Sequence, residues 1–312
     1  MKALVTGGTG FIGSQVVRAL LAAGHGVRVV AREGASRARL ADVEARLEWA
    51  TADLFTDAGA AVSAAAAVAA AAELARGADV CVHAAWYAVP GRYLEATENL
   101  ACVAGSLALL RGLAVAGVPR AVFVGTCFEY DFDYGWLSET TPTRPGSLYA
   151  SAKAATRLMA EPLARAGAVE FCWVRPFYQY GPFEDARRLV PYVIDTLMKG
   201  EEAGVTRGLQ IRDFLHVADV GSAIAAVATS GLTGAVNIGS GRPVTVREIV
   251  ATIADVLGCP ERVRFGARPD NPTDPPFICA DNRRLTEGTG WAPRFDLASG
   301  LADTIAWRRS NP

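Results

Sequence analysis

A glycine-rich turn behind a short apolar run is the feature that most constrains the fold of this chain. The run Lys2–Thr6 predicts a buried strand, and the apolar spacing over residues 12–23 predicts a helix. The turn between them has the sequence Gly7-Gly8-Thr9-Gly10-Phe11-Ile12-Gly13. Glycines let the backbone approach a pyrophosphate closely, and the amides at the start of a helix favour its negative charge. A glycine turn alone also fits a structural loop, but the order strand, turn, helix favours a phosphate site.

The composition is that of a globular protein with small-molecule partners. The chain has 312 residues, of which 51% are hydrophobic and 20% are charged, and its net charge is -1. This balance argues against electrostatic capture of nucleic acid or of an anionic membrane. No leader is recognisable, and the alanine-rich segment 58–75, the nearest candidate for a membrane span, is too weakly hydrophobic. We therefore expect a cytoplasmic protein that binds small molecules or copies of itself.

The cysteines and histidines show no metal-binding or redox spacing. Six cysteines are scattered without a CxxC pair, so we expect reduced thiols that pack in the core. The three histidines, His25, His83 and His216, lie far apart in the sequence. The sequence therefore predicts no metal site.

Strand-like and helix-like segments alternate through the first part of the chain. Strands are predicted at 2–6, 27–31, 47–51, 79–84, 121–126 and 169–175, and helices at 12–23, 36–46, 58–76, 92–116 and 147–166. This alternation is typical of an α/β fold with a doubly wound parallel sheet (Rossmann type), in which ligands bind at the carboxyl ends of the strands. The alternation stops after Tyr180. We expect a dinucleotide-binding domain at 1–180 and a smaller α/β substrate-binding lobe at 181–312, with some segments returning to the first domain.

A tyrosine and a lysine four residues apart lie on one predicted helix. Tyr149 and Lys153 fall on the same face of that helix, roughly 6 Å apart. Tyrosine titrates near about 10, and a neighbouring ammonium favours the charged tyrosinate. Tyr149 can then act as a general acid or base. The YxxxK spacing also occurs by chance on solvated helices, and the glycine turn gives it weight here.

Together these motifs resemble the extended short-chain dehydrogenase/reductase family, which contains nucleotide-sugar epimerases, dehydratases and ketoreductases. The resemblance covers nearly the whole chain. It is carried by the glycine turn, Ala52-Asp53-Leu54, His83-Ala84-Ala85, Asn99, Thr126 with Tyr130, Tyr149-Ala150-Ser151-Ala152-Lys153, segment 175–182 and Arg212-Asp213-Phe214-Leu215-His216-Val217-Ala218-Asp219. It implies a bound NAD(P) cofactor and a nucleotide-sugar substrate.

The resemblance also implies a role for individual residues. Thr126, Tyr149 and Lys153 would be the catalytic set, with Thr126 on the substrate oxygen and Lys153 also on the nicotinamide ribose. Asp53 would meet the adenine amino group, although a loop aspartate that caps the next helix is the alternative. Asn99 would support the lysine, with a solvent-facing asparagine as the alternative. The implied cofactor contacts are Gly7, Gly10, Phe11, Ile12, Gly13, Ala31, Arg32, Arg37, Asp53, Leu54, Ala84, Ala85, Asn99, Tyr149 and Lys153.

The implied substrate contacts come from several separate segments. They are Thr126, Cys127, Tyr178, Arg212 and Arg268. Arg212 and Arg268 resemble the arginines that grip the nucleotide diphosphate, because a guanidinium fork makes bidentate contacts to phosphate oxygens. An internal ion pair between Arg212 and Asp213 is the alternative.

The end of the second predicted strand favours NADP(H) as the cofactor, with NAD(H) as the alternative. NAD-using relatives carry an acidic residue there for the adenosine ribose, whereas this chain has Ala31-Arg32. The missing carboxylate removes repulsion against a 2'-phosphate, and Arg32, helped by Arg37 or Arg39, can pair with that phosphate. A solvated strand-end arginine is the plain alternative.

Two departures from the family pattern narrow the reaction. Dehydratases place an Asp-Glu pair after the catalytic threonine, and Cys127 and Phe128 stand in those positions here. Phenylalanine cannot act as an acid or a base, and Glu129 should point elsewhere on an extended segment. Many epimerases have an asparagine where this chain has Tyr178, so the substrate contact there must differ.

The sequence therefore predicts NADPH-dependent reduction of a nucleotide-linked keto-deoxysugar, at C4 of a 4-keto-6-deoxyhexose. A nucleotide-sugar 4-epimerase with retained NAD is one alternative, and a non-catalytic protein that senses dinucleotides is another. The resemblance also implies a homodimer formed by the helices that contain Asn99 and Tyr149. Leu107, Leu110 and Leu113 could serve that interface or face the sheet.

Overall fold

The computed structural model describes residues 1–55 and 63–311. Its strands are β1 (Lys2–Thr6), β2 (Gly26–Ala31), β3 (Leu47–Thr51), β4 (Val80–His83), β5 (Arg120–Val124), β6 (Trp136–Leu137), β7 (Glu170–Pro176), β8 (Tyr178–Tyr180), β9 (Ala203–Val205), β10 (Ile211–His216), β11 (Gly234–Ile238), β12 (Pro243–Thr245), β13 (Val263–Phe265) and β14 (Phe277–Ala280). Its α-helices are α1 (Phe11–Ala22), α2 (Ala64–Ala75), α3 (Glu98–Val115), α4 (Leu148–Ala166), α5 (Leu189–Met198), α6 (Val217–Ala228), α7 (Val246–Leu257), α8 (Arg283–Thr289) and α9 (Leu297–Ser310).

A seven-stranded parallel sheet forms the centre of the molecule. Its strand order is β11-β7-β5-β4-β1-β2-β3, and every neighbouring pair is parallel. The inner strands are buried along their length, as in β4 and β5. Helices on both faces explain why these strands are continuous apolar runs without polar alternation. The predicted doubly wound α/β fold is confirmed.

Two apolar cores separate this sheet from its helices. On one face α1 and α6 pack together around Val17 and Val220. On the other face α2, α3 and α4 pack around Leu110 and Ala160. All six cysteines are free thiols and five of them are buried, as the scattered spacing predicts. Because the chain proceeds outward from β1 in both directions, the carboxyl ends of β1 and β4 flank a crevice at this switch point.

The C-terminal part of the chain adds a smaller set of strands and helices. Strand β10 pairs with β8, β12 and β14, and β14 also pairs with β6. Helices α5, α7 and α9 enclose a separate apolar core around Val193, Ile249 and Leu301. Strand β11 pairs with β7 and so belongs to the large sheet. The division at residue 180 stays a prediction.

The predicted helix at 36–46 is wrong. The chain forms two short 3-10 turns there, Ala38–Leu40 and Glu44–Arg46. Leu40 is the only buried residue of the segment, so no apolar stripe supports a longer helix.

Two other predicted helices begin later than their patterns indicate. Helix α2 begins at Ala64, where the Ser63 side chain accepts a hydrogen bond from the Ala66 amide, and part of the prediction at 58–76 falls outside the described residues. Helix α3 begins at Glu98, and most of the segment between β4 and α3 is irregular and lines a cleft.

Helix α3 is the most extended apolar helix in the described part of the chain and is partly buried against its neighbours. Among the described residues it is the one helix long and apolar enough to cross a membrane, in place of the alanine-rich segment noted above. It packs against α2 and α4. Leu110 and Leu113 are buried in the core and Leu107 is partly buried against it. These three leucines therefore face the interior, and they do not form an exposed interface.

Candidate active site

A cleft opens at the carboxyl ends of the large sheet. Its volume is about 1160 Å³, and it runs from the glycine turn to strand β10. The ends of β1, β2, β4 and β5 all contribute to its walls. Ligands of doubly wound sheets bind in this position.

The glycine turn packs too tightly to accept side chains. Gly7 has a φ of +69°, and a Cβ added there would lie 2.5 Å from the amide nitrogen of Ala85. A Cβ added to Gly13 would lie 2.1 Å from the carbonyl oxygen of Gly7. Helix α1 thus begins directly against β1, and no side chain caps its N-terminus. Its first amides remain available to an anion, so this cradle fits the pyrophosphate of a dinucleotide.

Most of the predicted cofactor contacts line this cleft. They are Gly7, Gly10, Phe11, Ile12, Gly13, Ala31, Arg32, Asp53, Leu54, Ala84, Ala85, Tyr149 and Lys153. The carboxylate of Asp53 accepts a hydrogen bond from the Phe55 amide at 3.0 Å, so it caps its own loop, and the next helix in the described part of the chain, α2, is capped by Ser63. Arg37 and Asn99 are the two predicted contacts that do not line the cleft.

Arg37 lies outside the cleft because its guanidinium is paired with other side chains. Its guanidinium donates to Glu44 at 2.8 Å and stacks on the Trp49 ring at 4.1 Å. Arg39 lines the cleft instead, where it donates to the carbonyl oxygens of Thr9 at 3.3 Å and Phe183 at 3.4 Å. Burial lowers the pKa of Arg39. The two 3-10 turns that replace the predicted helix set which arginine points inward.

The sequence predicts that Thr126 ends a strand, and this prediction is wrong. Thr126 instead begins a 3-10 turn. Strand β5 stops at Val124, and the Thr126 hydroxyl accepts a hydrogen bond from the Phe128 amide at 3.2 Å. Thr126 and Tyr149 both line the cleft, and the Thr126 hydroxyl lowers the Tyr149 pKa, though by less than burial raises it. Burial raises the pKa of Tyr149 above its ordinary value, so the phenol is neutral at physiological pH.

Lys153 is buried on the same helix as Tyr149 and faces the cleft. Its ammonium donates to the carbonyl oxygen of Val124 at 2.6 Å and lies 3.7 Å from the centre of the Trp86 ring. Burial lowers its pKa to about 7. Burial is the largest cause of the pKa shift of both groups, so the expectation that Lys153 keeps Tyr149 acidic stays a prediction.

Asn99 is fully buried and acts through a neighbour that the sequence analysis missed. Its side-chain amide donates to the carbonyl oxygens of Tyr93 at 2.7 Å and Ala96 at 2.8 Å. Its side-chain oxygen accepts from the indole nitrogen of Trp86 at 2.8 Å. Asn99 therefore holds Trp86 against Lys153, and the solvent-facing alternative is wrong. The signal was the position of Trp86 directly behind His83-Ala84-Ala85.

Arg212 lies at the far end of the cleft, on β10. It is buried, and its guanidinium donates to Asp274 at 2.5 Å and lies 5.5 Å from the ring centre of Tyr178. Its partner is thus Asp274, and Asp213 is instead held by the backbone amides of the loops that follow β11 and of β14.

Arg268 is exposed, stacks on Tyr192 at 4.4 Å and does not line the cleft. Arg268 lies in the loop that follows β13. The family pattern indicates an arginine in this loop, but it does not indicate the direction of the side chain. The structure therefore brings Arg212, Tyr178 and Cys127 together in the cleft and leaves Arg268 outside.

Comparison with known proteins places this cleft among related enzymes. The family model of the NAD dependent epimerase/dehydratase family matches residues 3–239. The chain belongs to this family. It is 33% identical to a dTDP-glucose 4,6-dehydratase of Streptomyces griseus over 97% of the chain and 93% of that protein. It is 29% identical to a UDP-glucose 4-epimerase of Mycolicibacterium smegmatis over 99% of each.

Solved structures of family members superpose over the whole chain. The UDP-glucose 4-epimerase of Thermotoga maritima with UDP-glucose has a TM-score of 0.85 at 25% identity, covering 100% of this chain and 99% of that one. The dTDP-glucose 4,6-dehydratase of Streptomyces venezuelae with NAD bound has a TM-score of 0.84 at 30% identity, covering 100% and 98%. The expected membership of the extended short-chain dehydrogenase/reductase family is confirmed.

The three residues after Thr126 form the 3-10 turn Cys127–Glu129. Cys127 is buried, and burial raises the pKa of its thiol. Phe128 packs on Tyr178, with ring centres 6.2 Å apart. Glu129 is fully buried and accepts hydrogen bonds from Arg175 at 2.9 Å and Trp173 at 2.8 Å. It points away from the cleft as expected, but in a 3-10 turn and not on an extended segment.

Proposed function

We propose that this protein reduces the C4 carbonyl of a nucleotide-linked 4-keto-6-deoxyhexose with NADPH. The observation that carries the cofactor preference is the end of β2. Ala31 stands where a carboxylate would bind the ribose hydroxyls of NAD, and Arg32 lines the cleft as an exposed cation. An arginine at this point suits a 2'-phosphate and a carboxylate would repel it.

The polar groups at the centre of the cleft supply proton transfer and orientation. NADPH, when bound, supplies a hydride to the carbonyl carbon of the sugar. Tyr149 is a neutral phenol beside Thr126, and a neutral phenol is the form that donates a proton to the developing alkoxide. Thr126 orients the same oxygen through its hydroxyl. Lys153, as the ammonium, binds the nicotinamide ribose and stabilises the tyrosinate that remains.

The far end of the cleft supports a nucleotide-linked substrate. Arg212 is buried there beside Tyr178, and its fork suits a diphosphate oxygen when the pair with Asp274 opens. The names of the relatives add UDP-glucose and dTDP-glucose as the substrates of those proteins. A nucleotide diphosphate sugar is therefore the substrate class that we propose for this chain.

The residues after Thr126 favour reduction over dehydration. Removal of water from a sugar needs an acid and a base beside the ring, and Phe128 offers neither. Cys127 is a neutral thiol, because burial raises its pKa. A 4-epimerase with retained NAD is the second candidate, and the likeness to epimerases over the full chain favours it.

A direct assay separates these two candidates. Purified protein is incubated with NADPH or NADH and either dTDP-4-keto-6-deoxyglucose or its UDP counterpart, and absorbance at the reduced nicotinamide band is followed. We expect net oxidation, faster with NADPH. Interconversion of UDP-glucose and UDP-galactose without added cofactor, together with no NADPH oxidation, would establish the epimerase instead.

We also propose a homodimer through α3 and α4. Both helices expose large apolar side chains, namely Leu100 on α3 with Leu158 and Met159 on α4. Helices α3 and α4 pack side by side, so these three residues belong to one helix pair. A second copy of the chain would bury them in a four-helix interface, and analytical ultracentrifugation of the wild type and of Leu158→Glu tests this.

A further inference from the structure

Trp86 is held in one orientation beside Lys153. Its indole N–H donates to Asn99 at 2.8 Å, and Asn99 is fixed in turn by two backbone carbonyls. The ring centre lies 3.7 Å from the Lys153 ammonium nitrogen, which is cation–π distance. The Trp86 ring also meets Tyr149 edge to face, with centres 6.4 Å apart. One indole therefore contacts both members of the tyrosine–lysine pair.

Within residues 1–55 and 63–311, no group that faces this ammonium supplies a free negative charge. The titratable groups that face Lys153 from the elements around it are His83 at the end of β4, Cys102 on α3, Glu129 after β5 and Tyr149 on α4. Burial lowers the pKa of His83 to about 3 and raises the pKa of Cys102, so both are neutral at physiological pH. The charge of Glu129 is shared with Arg175.

Hydrogen bonds within the described part of the chain give this ammonium little stabilisation. The ammonium has three N–H groups, and the carbonyl oxygen of Val124 accepts one of them. Two indole faces supply further stabilisation, Trp86 at 3.7 Å and Trp173 at 6.0 Å from the ammonium, and the nearer Trp86 makes the stronger contact. Removing the Trp86 face while keeping the site apolar would favour the neutral amine.

We propose that Trp86 is a positioning residue whose indole face, locked by Asn99, holds Lys153 in the charged form beside Tyr149. Its importance for turnover rests on the proposed function, since only a reaction that uses the lysine ammonium would respond. The charge of the lysine itself does not depend on turnover. The two claims are therefore tested by different measurements.

The lysine charge can be measured directly because the chain has only three lysines, Lys2, Lys153 and Lys199. Protein labelled with ¹³C at the lysine ε-carbon is titrated by NMR, with Lys2→Arg and Lys199→Arg variants for assignment. We expect Trp86→Leu to lower the pKa of Lys153 by about one unit, the size of a desolvated cation–π contact. Trp86→Phe keeps an aromatic face and should shift this pKa by less than half as much.

Trp49→Leu is the matched control. Trp49 also carries an arginine on its face, Arg37 at 4.1 Å, but this pair lies outside the cleft. We expect the Trp49 variant to leave the pKa of Lys153 unchanged. An unchanged or raised Lys153 pKa in Trp86→Leu, or an equal shift in Trp86→Phe, would overturn the proposal.

A second measurement on the wild type covers the case in which Trp86→Leu does not fold. An ammonium on an indole face places the neighbouring ε-methylene protons in the ring current. We expect the Lys153 ε-proton signal upfield of those of Lys2 and Lys199, with an Overhauser contact to an indole ring. A Lys153 signal at the position of the other two lysines contradicts the proposal.

Activity gives the consequence for the reaction. Lys153 loses its proton as the pH rises through its pKa, so the pH profile of kcat/KM should fall at basic pH. In Trp86→Leu this fall should begin about one pH unit lower. If the NMR shift occurs and the wild type shows no NADPH oxidation, the proposed function fails and the role of Trp86 stands. If the wild type is active and the fall at basic pH does not move, the importance of Trp86 for turnover fails alone, and the NMR titration decides its effect on the lysine charge.

Discussion

Replacement of Arg32 by alanine should weaken the binding of NADPH and leave the binding of NADH unchanged. Arg32 lies at the end of β2, lines the cleft and is exposed. Its pair with a 2'-phosphate would be screened by water, so we expect a contribution near the lower limit for charged hydrogen bonds, about 1.4 kcal/mol, which is about tenfold in KM. Steady-state kinetics with each cofactor at fixed keto-sugar concentration measures this difference.

Arg37→Ala is the matched control for Arg32→Ala. Arg37 is an arginine of the same loop region, but it is paired with Glu44 and stacked on Trp49 outside the cleft. Its removal should change KM for NADPH by less than about twofold, since surface pairs contribute little. The penalty in Arg32→Ala should also shrink as salt is added, because an exposed charge pair is screened. Equal losses for NADPH and NADH in Arg32→Ala, or an equal NADPH loss in Arg37→Ala, would refute the assignment.

Three further predictions concern buried polar groups in the site and next to it. Tyr149→Phe should lower kcat by about 10² to 10⁴-fold and leave the affinity for NADPH, measured by fluorescence titration, unchanged. A protein that only senses dinucleotides would have no activity to lose. Glu129→Gln should lower the free energy of unfolding, measured by urea titration, by about 3 kcal/mol, because it leaves Arg175 buried without its full counter-charge. Glu170→Gln is the control: it removes an exposed carboxylate and should lower the free energy of unfolding by less than about 1 kcal/mol. Lys153→Met should raise the free energy of unfolding by several kcal/mol at pH 7 and below. The folded-state pKa of Lys153 is about 7 and the unfolded value is higher, so the unfolded chain binds the extra proton and the advantage of methionine should fade between about pH 7 and pH 10; an advantage that grows with pH would contradict this.

The parts of the molecule that the sequence predicts well are those fixed by local backbone geometry. The glycine turn requires a positive φ at Gly7 and a bare Cα at Gly13, and these demands appear in the sequence as glycines. The strands of the parallel sheet are predicted because helices bury both of their faces, which makes them continuous apolar runs. The switch-point cleft then follows from the alternation of strands and helices.

The direction of single side chains was harder to predict. Arg37 and Arg39 lie two residues apart, and which of them enters the cleft depends on a pair with Glu44 and on two 3-10 turns. The side chain of Arg268 is carried away by a long irregular loop, where it stacks on Tyr192.

The contacts of the Trp86 side chain were also not predicted from the sequence. The position of Trp86 behind His83-Ala84-Ala85 indicates that it lies near the site, but only the tertiary contacts with Asn99 and Lys153 show which groups its ring meets. The burial of Lys153 has the same origin, because three separate elements enclose its ammonium. Spacing on α4 predicts that Tyr149 and Lys153 share a face, but it does not predict the pKa of either group.

Hydride transfer to the sugar tests the central claim most directly. The protein is incubated with NADPH carrying deuterium at C4 of the nicotinamide and with a nucleotide-linked 4-keto-6-deoxyhexose, and the product is analysed by NMR and mass spectrometry. We predict one deuterium at C4 of the sugar for each NADP⁺ formed, with the label coming from one face of the nicotinamide. A sugar nucleotide that changes configuration at C4 without deuterium and without net NADP⁺ would contradict the account.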